Sequence, residues 1–88
     1  MAEVWIPPRL RSLVAGQSQI RAKGETIREV IYDLDQQYPG IKGHLCEGND
    51  IIPGMAVVVD GEVSELGILE RVNEDSEVHF VPAIAGGS

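Results

Sequence analysis

The residues best placed to do chemistry stand at the end of the chain. Gly86-Gly87-Ser88 follows Val78-His79-Phe80-Val81-Pro82-Ala83-Ile84-Ala85, an apolar stretch that runs out into small residues. Glycine has no Cβ, so it adopts backbone angles closed to other residues and lets walls approach closely. From Ala83 to Gly87 an extended chain reaches about 16 Å at ~3.3 Å per residue. Such a thread is long and thin enough to carry a terminal carboxylate into another protein's active site. The chemistry would then fall on Gly87 itself, with Gly86, Ala85 and Ile84 as the thread. The plain alternative is a frayed tail or an expression linker, because Gly-Gly-Ser looks like both.

The remaining chemical side chains are sparse. Cys46 is the sole cysteine, in a loop beside Leu45 and Glu47, with only His44 as a nearby cation. It reads as a plain, partly buried thiol rather than a persulfide acceptor. His44, Cys46, Glu47 and Asp50 are all metal-ligand types, but they follow no recognised ligand spacing, so no metal site is expected. His79 reads as a surface or interface residue, and no nucleophile–base pair is discernible.

Composition narrows the partners. Fourteen Asp and Glu outnumber seven Lys and Arg, for a net charge of −7. Such a surface repels phosphate backbones, which disfavours nucleic acid, and it suits a basic protein surface. A lone cysteine fits a reducing cytoplasm and provides no disulfide framework. Met1-Ala2-Glu3-Val4-Trp5 lacks the basic start and apolar run of a signal peptide, and no apolar stretch is long enough to span a membrane. A cytoplasmic protein without membrane contact is the expectation.

The elements that must position the terminus follow from hydrophobic spacing. Alternation predicts a strand near residues 2–6, a loop or short helical turn through Pro7–Leu13, and a second strand near 18–23 with Ile20 and Ala22 inward. Thr26 and Glu29 form a capping-box pattern. Ile27, Val30, Ile31, Leu34 and Tyr38 then fall on one helical face until Pro39-Gly40 ends it. Residues 41–54 read as irregular, with a short turn at Ile41–Leu45. Met55-Ala56-Val57-Val58-Val59 is a strand, Asp60-Gly61 a hairpin turn, and Glu62-Val63-Ser64 the return. Leu66, Ile68, Leu69 and Val72 suggest a packed crossover, and Asn73-Glu74-Asp75-Ser76 a turn. Glu77–Pro82 is the last strand, with Val78 and Phe80 on one face and His79 and Val81 on the other.

One amphipathic helix laid across a mixed four- or five-stranded sheet would bury nearly all these apolar positions. That is an α+β fold of the β-grasp, or ubiquitin-like, type. A single domain over residues 1–82 would carry a flexible tail over 83–88.

With those elements the chain resembles the ubiquitin-like sulfur carriers of the MoaD/ThiS family along essentially its whole length. The resemblance rests on Gly24-Glu25-Thr26-Ile27-Arg28-Glu29-Val30-Ile31-Tyr32-Asp33-Leu34, on the Val59-Asp60-Gly61-Glu62 hairpin, and on Val81-Pro82-Ala83-Ile84-Ala85-Gly86-Gly87. Tyr38-Pro39-Gly40-Ile41 and the order of the tail are most similar to the carrier of thiocarboxylate-dependent cysteine biosynthesis. The resemblance implies a carrier rather than an enzyme, acting as a co-substrate of its partners. An adenylating enzyme of the MoeB/ThiF kind would activate the Gly87 carboxylate with ATP, and the adenylate would become a thiocarboxylate. Its sulfur would go to an aminoacrylate held by a pyridoxal-phosphate-dependent cysteine synthase. A JAMM-type metallopeptidase would then release the amino acid. No cofactor would be bound by the carrier itself.

Ser88 departs from that pattern, because it leaves Gly87 with an amide instead of a carboxylate. Three readings stand: removal of Ser88 by a peptidase acting at the Gly87–Ser88 bond, a residue left by cloning, or an inactive relative. The first is favoured. Val81, together with Ile84, is expected to remain exposed and to mark the docking surface beside His79. Alternative functions are the small subunit of molybdopterin synthase, a ubiquitin-like protein modifier joined to lysines through Gly87, and a β-grasp binding module without tail chemistry.

Overall fold

The computed structural model describes residues 1–82. Strand β1 (Ala2–Trp5) is followed by a 3-10 segment at Pro8–Val14 and by β2 (Gln19–Ala22). Helix α1 spans Ile27–Gln37, and a single helical turn, α2, spans Lys42–Leu45. The strands β3 (Cys46–Glu47), β4 (Asp50–Ile51), β5 (Met55–Val59) and β6 (Glu62–Val63) come next. A 3-10 turn at Gly67–Leu69 then leads to β7 (Glu77–Pro82). Five strands form one sheet in the order β2-β1-β7-β5-β6, with β1 and β7 parallel at its centre and the other pairs antiparallel. With α1 on one face of this mixed sheet, the fold is a β-grasp, as the hydrophobic spacing predicts.

Helix α1 forms where the sequence places it. Thr26 has extended backbone angles, and its Oγ1 accepts a hydrogen bond from the Glu29 amide at 3.3 Å. The Glu29 carboxylate reaches one residue further back than a capping box requires and accepts from the Glu25 amide at 3.1 Å. Ile27, Val30, Ile31 and Leu34 are fully buried, so the helix is held by its apolar stripe. Gly24 is obligatory at the entry. Its φ is +150°, and a Cβ there would sit 2.7 Å from the Val30 amide nitrogen.

The inner sheet face supplies Val4, Ile20, Ala22, Val57, Val78 and Phe80 to the same core. β7 alternates as expected: Val78 and Phe80 are buried, while His79 and Val81 are half-buried on the opposite face. Burying a valine or phenylalanine of this kind contributes roughly 1.5–3 kcal/mol. Asp60 and Gly61 both have positive φ, 51° and 85°, which is what a two-residue turn with the twist of its strands demands.

Three expectations are corrected. In residues 41–54 the expected short turn at Ile41–Leu45 is present as α2, with Ile41 and Leu45 fully buried against α1, but the stretch after it is a separate β3–β4 hairpin rather than irregular. The 65–72 crossover packs through only half its apolar side chains: Ile68 and Val72 are buried, but Leu66 and Leu69 are 59% and 65% exposed. A 3-10 turn of three residues cannot aim all of them inward. The edges of β1 and β2 are also trimmed by a residue or more, since Pro7 stops the first strand and its turn sets the start of the second.

Candidate functional site

β7 is the structural root of the terminal segment, and it is clamped on both sides. β1 pairs with it over Glu3–Glu77, Val4–Val78 and Trp5–His79, and β5 pairs from Met55–Pro82 to Val59–Val78. Its beginning is held by a second device. The Asp60 carboxylate accepts from the Ser76 hydroxyl at 2.8 Å and from the Glu77 amide at 2.9 Å, while Ser76 is 1% exposed. The Ser76 hydroxyl also accepts from the Asn73 amide at 2.8 Å. These bonds satisfy a buried hydroxyl whose orphaning would cost about 1–3 kcal/mol, and they fix where β7 starts. Sequence reasoning took Asp60 and Ser76 only as turn residues. The Asp-Gly pair gave the turn but not this latch.

The outer sheet face carries the side chains on either side of that strand. Strand register aligns Gln19, Trp5, His79, Val58 and Val63 in one row across all five strands. The Trp5 indole and the His79 imidazole stack at 5.0 Å and 10° between planes. Aromatic contacts of this kind are worth about 0.5–1.5 kcal/mol beyond area. The indole Nε1 is buried and finds no hydrogen-bond partner among the described residues. His79 Nε2 lies 3.7 Å from a Glu77 carboxylate oxygen. Val63 is 66% exposed at one end of the row. In the next row Val81 sits opposite Ala56. Val58, Asp60, Gly61, Glu77, His79 and Val81 together line a shallow concavity of about 560 Å³.

The two surface residues chosen from sequence, Val81 and His79, therefore lie side by side on this face. Val81 is half-buried rather than fully exposed, because β5 covers one flank. Trp5, Val58 and Val63 belong to the same surface and were missed. Their alignment depends on which strands are neighbours, which alternation within one strand does not reveal. The chemical candidates Ile84, Ala85, Gly86, Gly87 and Ser88 lie outside the described residues.

Cys46 is half-buried, and burial pushes its thiol pKa up; Lys42 opposes the shift and Asp50 adds to it. That favours the thiol over the nucleophilic thiolate. Among the described residues no three His, Cys, Asp or Glu side chains converge as a metal site. No helix among them is long and apolar enough to cross a membrane.

A β-grasp domain whose central strand is followed in sequence by a di-glycine, here Gly86-Gly87 before Ser88, defines a class, the small ubiquitin-like carriers. The chain belongs to the ThiS family, whose model matches residues 4–87. It is 32% identical to the sulfur carrier protein CysO of Mycobacterium bovis over 91 aligned positions, covering 96% of both chains. The Mycobacterium tuberculosis protein of the same name matches to the same extent. A chain in the crystal structure of the Amycolatopsis orientalis BexX/CysO complex superposes with a TM-score of 0.90 at 30% identity, covering 99% of this chain and all of that one. The small archaeal modifier protein 1 of Methanosarcina acetivorans shares the fold, with a TM-score of 0.77 at 21% identity over 98% of this chain and 95% of its own.

Proposed function

We propose that this protein is a sulfur carrier whose working group is a thiocarboxylate on Gly87, formed after Ser88 is removed. The observation that carries the reading is the Gly86-Gly87 pair placed just beyond the strand that two neighbours clamp, in a chain of the ThiS family. The similarity to CysO supports a role in cysteine biosynthesis.

The chemistry is conserved atom by atom. A JAMM-type peptidase hydrolyses the Gly87–Ser88 amide and leaves a glycine carboxylate. One carboxylate oxygen attacks the α-phosphorus of ATP on an adenylating enzyme of the MoeB/ThiF kind, and pyrophosphate leaves. Sulfide attacks the activated carbonyl, AMP leaves, and the thiocarboxylate remains. From a persulfide donor the product is first an acyl disulfide, which a thiol cleaves to the thiocarboxylate while forming a disulfide with the donor's sulfur. Adenylation is needed because a carboxylate oxygen is a poor leaving group. Glycine suits the step because no side chain blocks the attacking sulfur. The thiocarboxylate sulfur would then add to the β-carbon of an unsaturated acceptor, an aminoacrylate held by a pyridoxal-phosphate-dependent synthase. The resulting Gly87 thioester would pass to the amino acid's own nitrogen by an S-to-N acyl shift, which breaks the acyl C–S bond, frees the thiol and leaves a Gly87 amide. The same peptidase frees the product. Both substrates of that peptidase are Gly87 amides of one amino acid, which makes one enzyme sufficient for maturation and recycling.

In this reading the protein supplies position rather than catalysis. The row from Trp5 to Val63, with Val81 beside it, is the docking face for the activating enzyme, and its aromatic and aliphatic side chains surround the path of β7 toward the tail. The acidic balance of the chain favours a partner with a basic rim. The test is reconstitution with an adenylating enzyme, ATP and sulfide, read by intact mass. The chain ending at Gly87 gains one sulfur in place of one oxygen, whereas the Ser88-bearing chain gains none until the peptidase is added. Direct sulfur loading of the Ser88-bearing chain with its serine retained would overturn the reading.

A further inference from the structure

Strand β7 loses its hydrogen-bonding neighbours on both flanks at the same level, just before the tail. On the β1 side the Glu3 amide donates to the Ser76 carbonyl at 2.9 Å, and Glu3, Val4 and Trp5 stand opposite Glu77, Val78 and His79. In a parallel pair of that register the bonds continue in fixed order. The Val78 amide meets the Glu3 carbonyl, the Trp5 amide meets the Val78 carbonyl, and the Phe80 amide meets the Trp5 carbonyl. The next rung needs an amide hydrogen on residue 7 for the Phe80 carbonyl. The one after needs an amide hydrogen on residue 82 for the carbonyl of residue 7. Both positions are proline, Pro7 and Pro82, and proline has no amide hydrogen. The Pro7 carbonyl instead accepts from the Leu10 amide at 2.9 Å, in the 3-10 segment.

The β5 side ends at the same level by other means. The Asp60 amide donates to the Glu77 carbonyl at 2.9 Å, which makes Val58–His79 and Ala56–Val81 the hydrogen-bonded pairs of β5 and β7. The next such pair would need residue 54. There the chain leaves the sheet in the turn Ile52-Pro53-Gly54-Met55, closed by a 3.2 Å bond from the Met55 amide to the Ile52 carbonyl, with Gly54 at a φ of +88°. Neither flank therefore offers a rung beyond Val81. Pro82 is exposed, so the core does not require it. Its sequence neighbours beyond the strand include Ile84, a residue that favours strands.

We propose that Pro82, together with Pro7, is a positioning residue for sulfur loading: it stops the sheet from taking up the tail. Reach is what the stop protects. Each further pair of residues drawn into a ladder would use roughly 7 Å of chain, at ~3.3 Å per residue, out of the about 16 Å between Ala83 and Gly87. A carboxylate withdrawn by that much misses an active site built to receive the whole thread. The purpose of the stop rests on the carrier reading, whereas the stop itself is a property of the fold. Strand alternation puts Pro82 on the opposite face from Val81, so replacing it leaves the outer sheet face intact.

The test compares the unsubstituted protein with Pro82→Val, which supplies the missing amide hydrogen, and with Pro82→Val carrying two glycines inserted after Ala83. Amide hydrogen exchange of the full chains, labelled with nitrogen-15, is the first readout. Sulfur loading of the same chains ending at Gly87, followed by intact mass, is the second. The new amide at position 82 should exchange about tenfold or more slowly than in an unstructured chain. In Pro82→Val, kcat for loading should fall about threefold or more with KM unchanged, because docking is untouched and only reach is lost. The two inserted residues should restore kcat. A freely exchanging amide at position 82, an unchanged kcat, a loss carried by KM alone, or no recovery on insertion would each overturn the proposal. Failure of the unsubstituted chain to load would overturn the carrier reading, and the exchange readout alone would then decide whether Pro82 stops the ladder.

Discussion

At the scale of single residues, the proposed carrier role divides its labour between the terminus, where the chemistry would fall, and the side chains of the outer sheet face. His79 stacks on Trp5, and Val63 stands 66% exposed at the end of the same row. Neither is needed for the core, so a charge placed on either leaves the fold standing and spoils the docking face. His79→Asp and Val63→Asp should each lower kcat/KM for adenylation by about tenfold, equivalent to ~1.4 kcal/mol of lost docking, with thermal melting almost unchanged. A fall in the melting temperature of both variants that parallels their loss of activity would refute the separation of docking from stability. Cys46 makes the opposite point. Its burial raises the thiol pKa above the unfolded value, so at mildly alkaline pH the unfolded chain releases its proton first. Stability from this group is therefore full below the unfolded pKa and declines as pH rises through and above it. Iodoacetamide at pH 8 should modify Cys46 more slowly in the folded protein than in the urea-unfolded one, and the gap should narrow as pH climbs. Faster modification in the folded state would revive a reactive-thiol role.

At the scale of elements, the parts legible in the sequence are those whose burial is one-sided and local. Ile27, Val30, Ile31 and Leu34 announced α1, and the alternation of Val78, His79, Phe80 and Val81 announced β7, because one face of each is dry. Asp60-Gly61 announced its turn because two positive φ angles in succession are open to few residue pairs. The β3–β4 hairpin was not legible, since strands of two residues carry no period. The row from Gln19 to Val63 was not legible either. Trp5 and His79 meet through a parallel pairing of the first and last strands, and nothing in either strand alone specifies that neighbour. The candidate site was therefore half visible: His79 and Val81 could be named, but not Trp5, Val58 or the Asp60–Ser76 latch. Helix entry offers a direct check. Gly24→Ala forces a Cβ against the Val30 amide at a positive φ, so it should destabilise by more than about 1 kcal/mol. Thr26→Ala removes only a cap and should cost about 0.5–2 kcal/mol. Chemical denaturation of the two variants measures both. A neutral Gly24→Ala would mean that the β2–α1 connection can move aside.

At the scale of the whole molecule, the β-grasp acts as a rigid handle. The parallel β1–β7 pair lies at the centre of the sheet, so the segment leading to the tail follows the central strand rather than an edge. Edge strands are the ones prone to fraying and unwanted pairing. In the proposed carrier role, a terminus that follows the central strand has a fixed origin for each partner in turn. The proposed docking face flanks β7. The net charge of −7 favours a basic partner for that face.

The central claim is that Gly87 becomes a thiocarboxylate after Ser88 is lost. The most direct measurement is the intact mass of the untagged protein recovered from its own cells, with and without a thiol-reactive alkylating agent. The account predicts a chain lacking one serine residue, with one oxygen replaced by sulfur, and one more alkyl group than Cys46 alone can take. A chain still ending in Ser88, unaltered under growth that demands sulfur, would contradict it and leave Gly86-Gly87 as a plain tail.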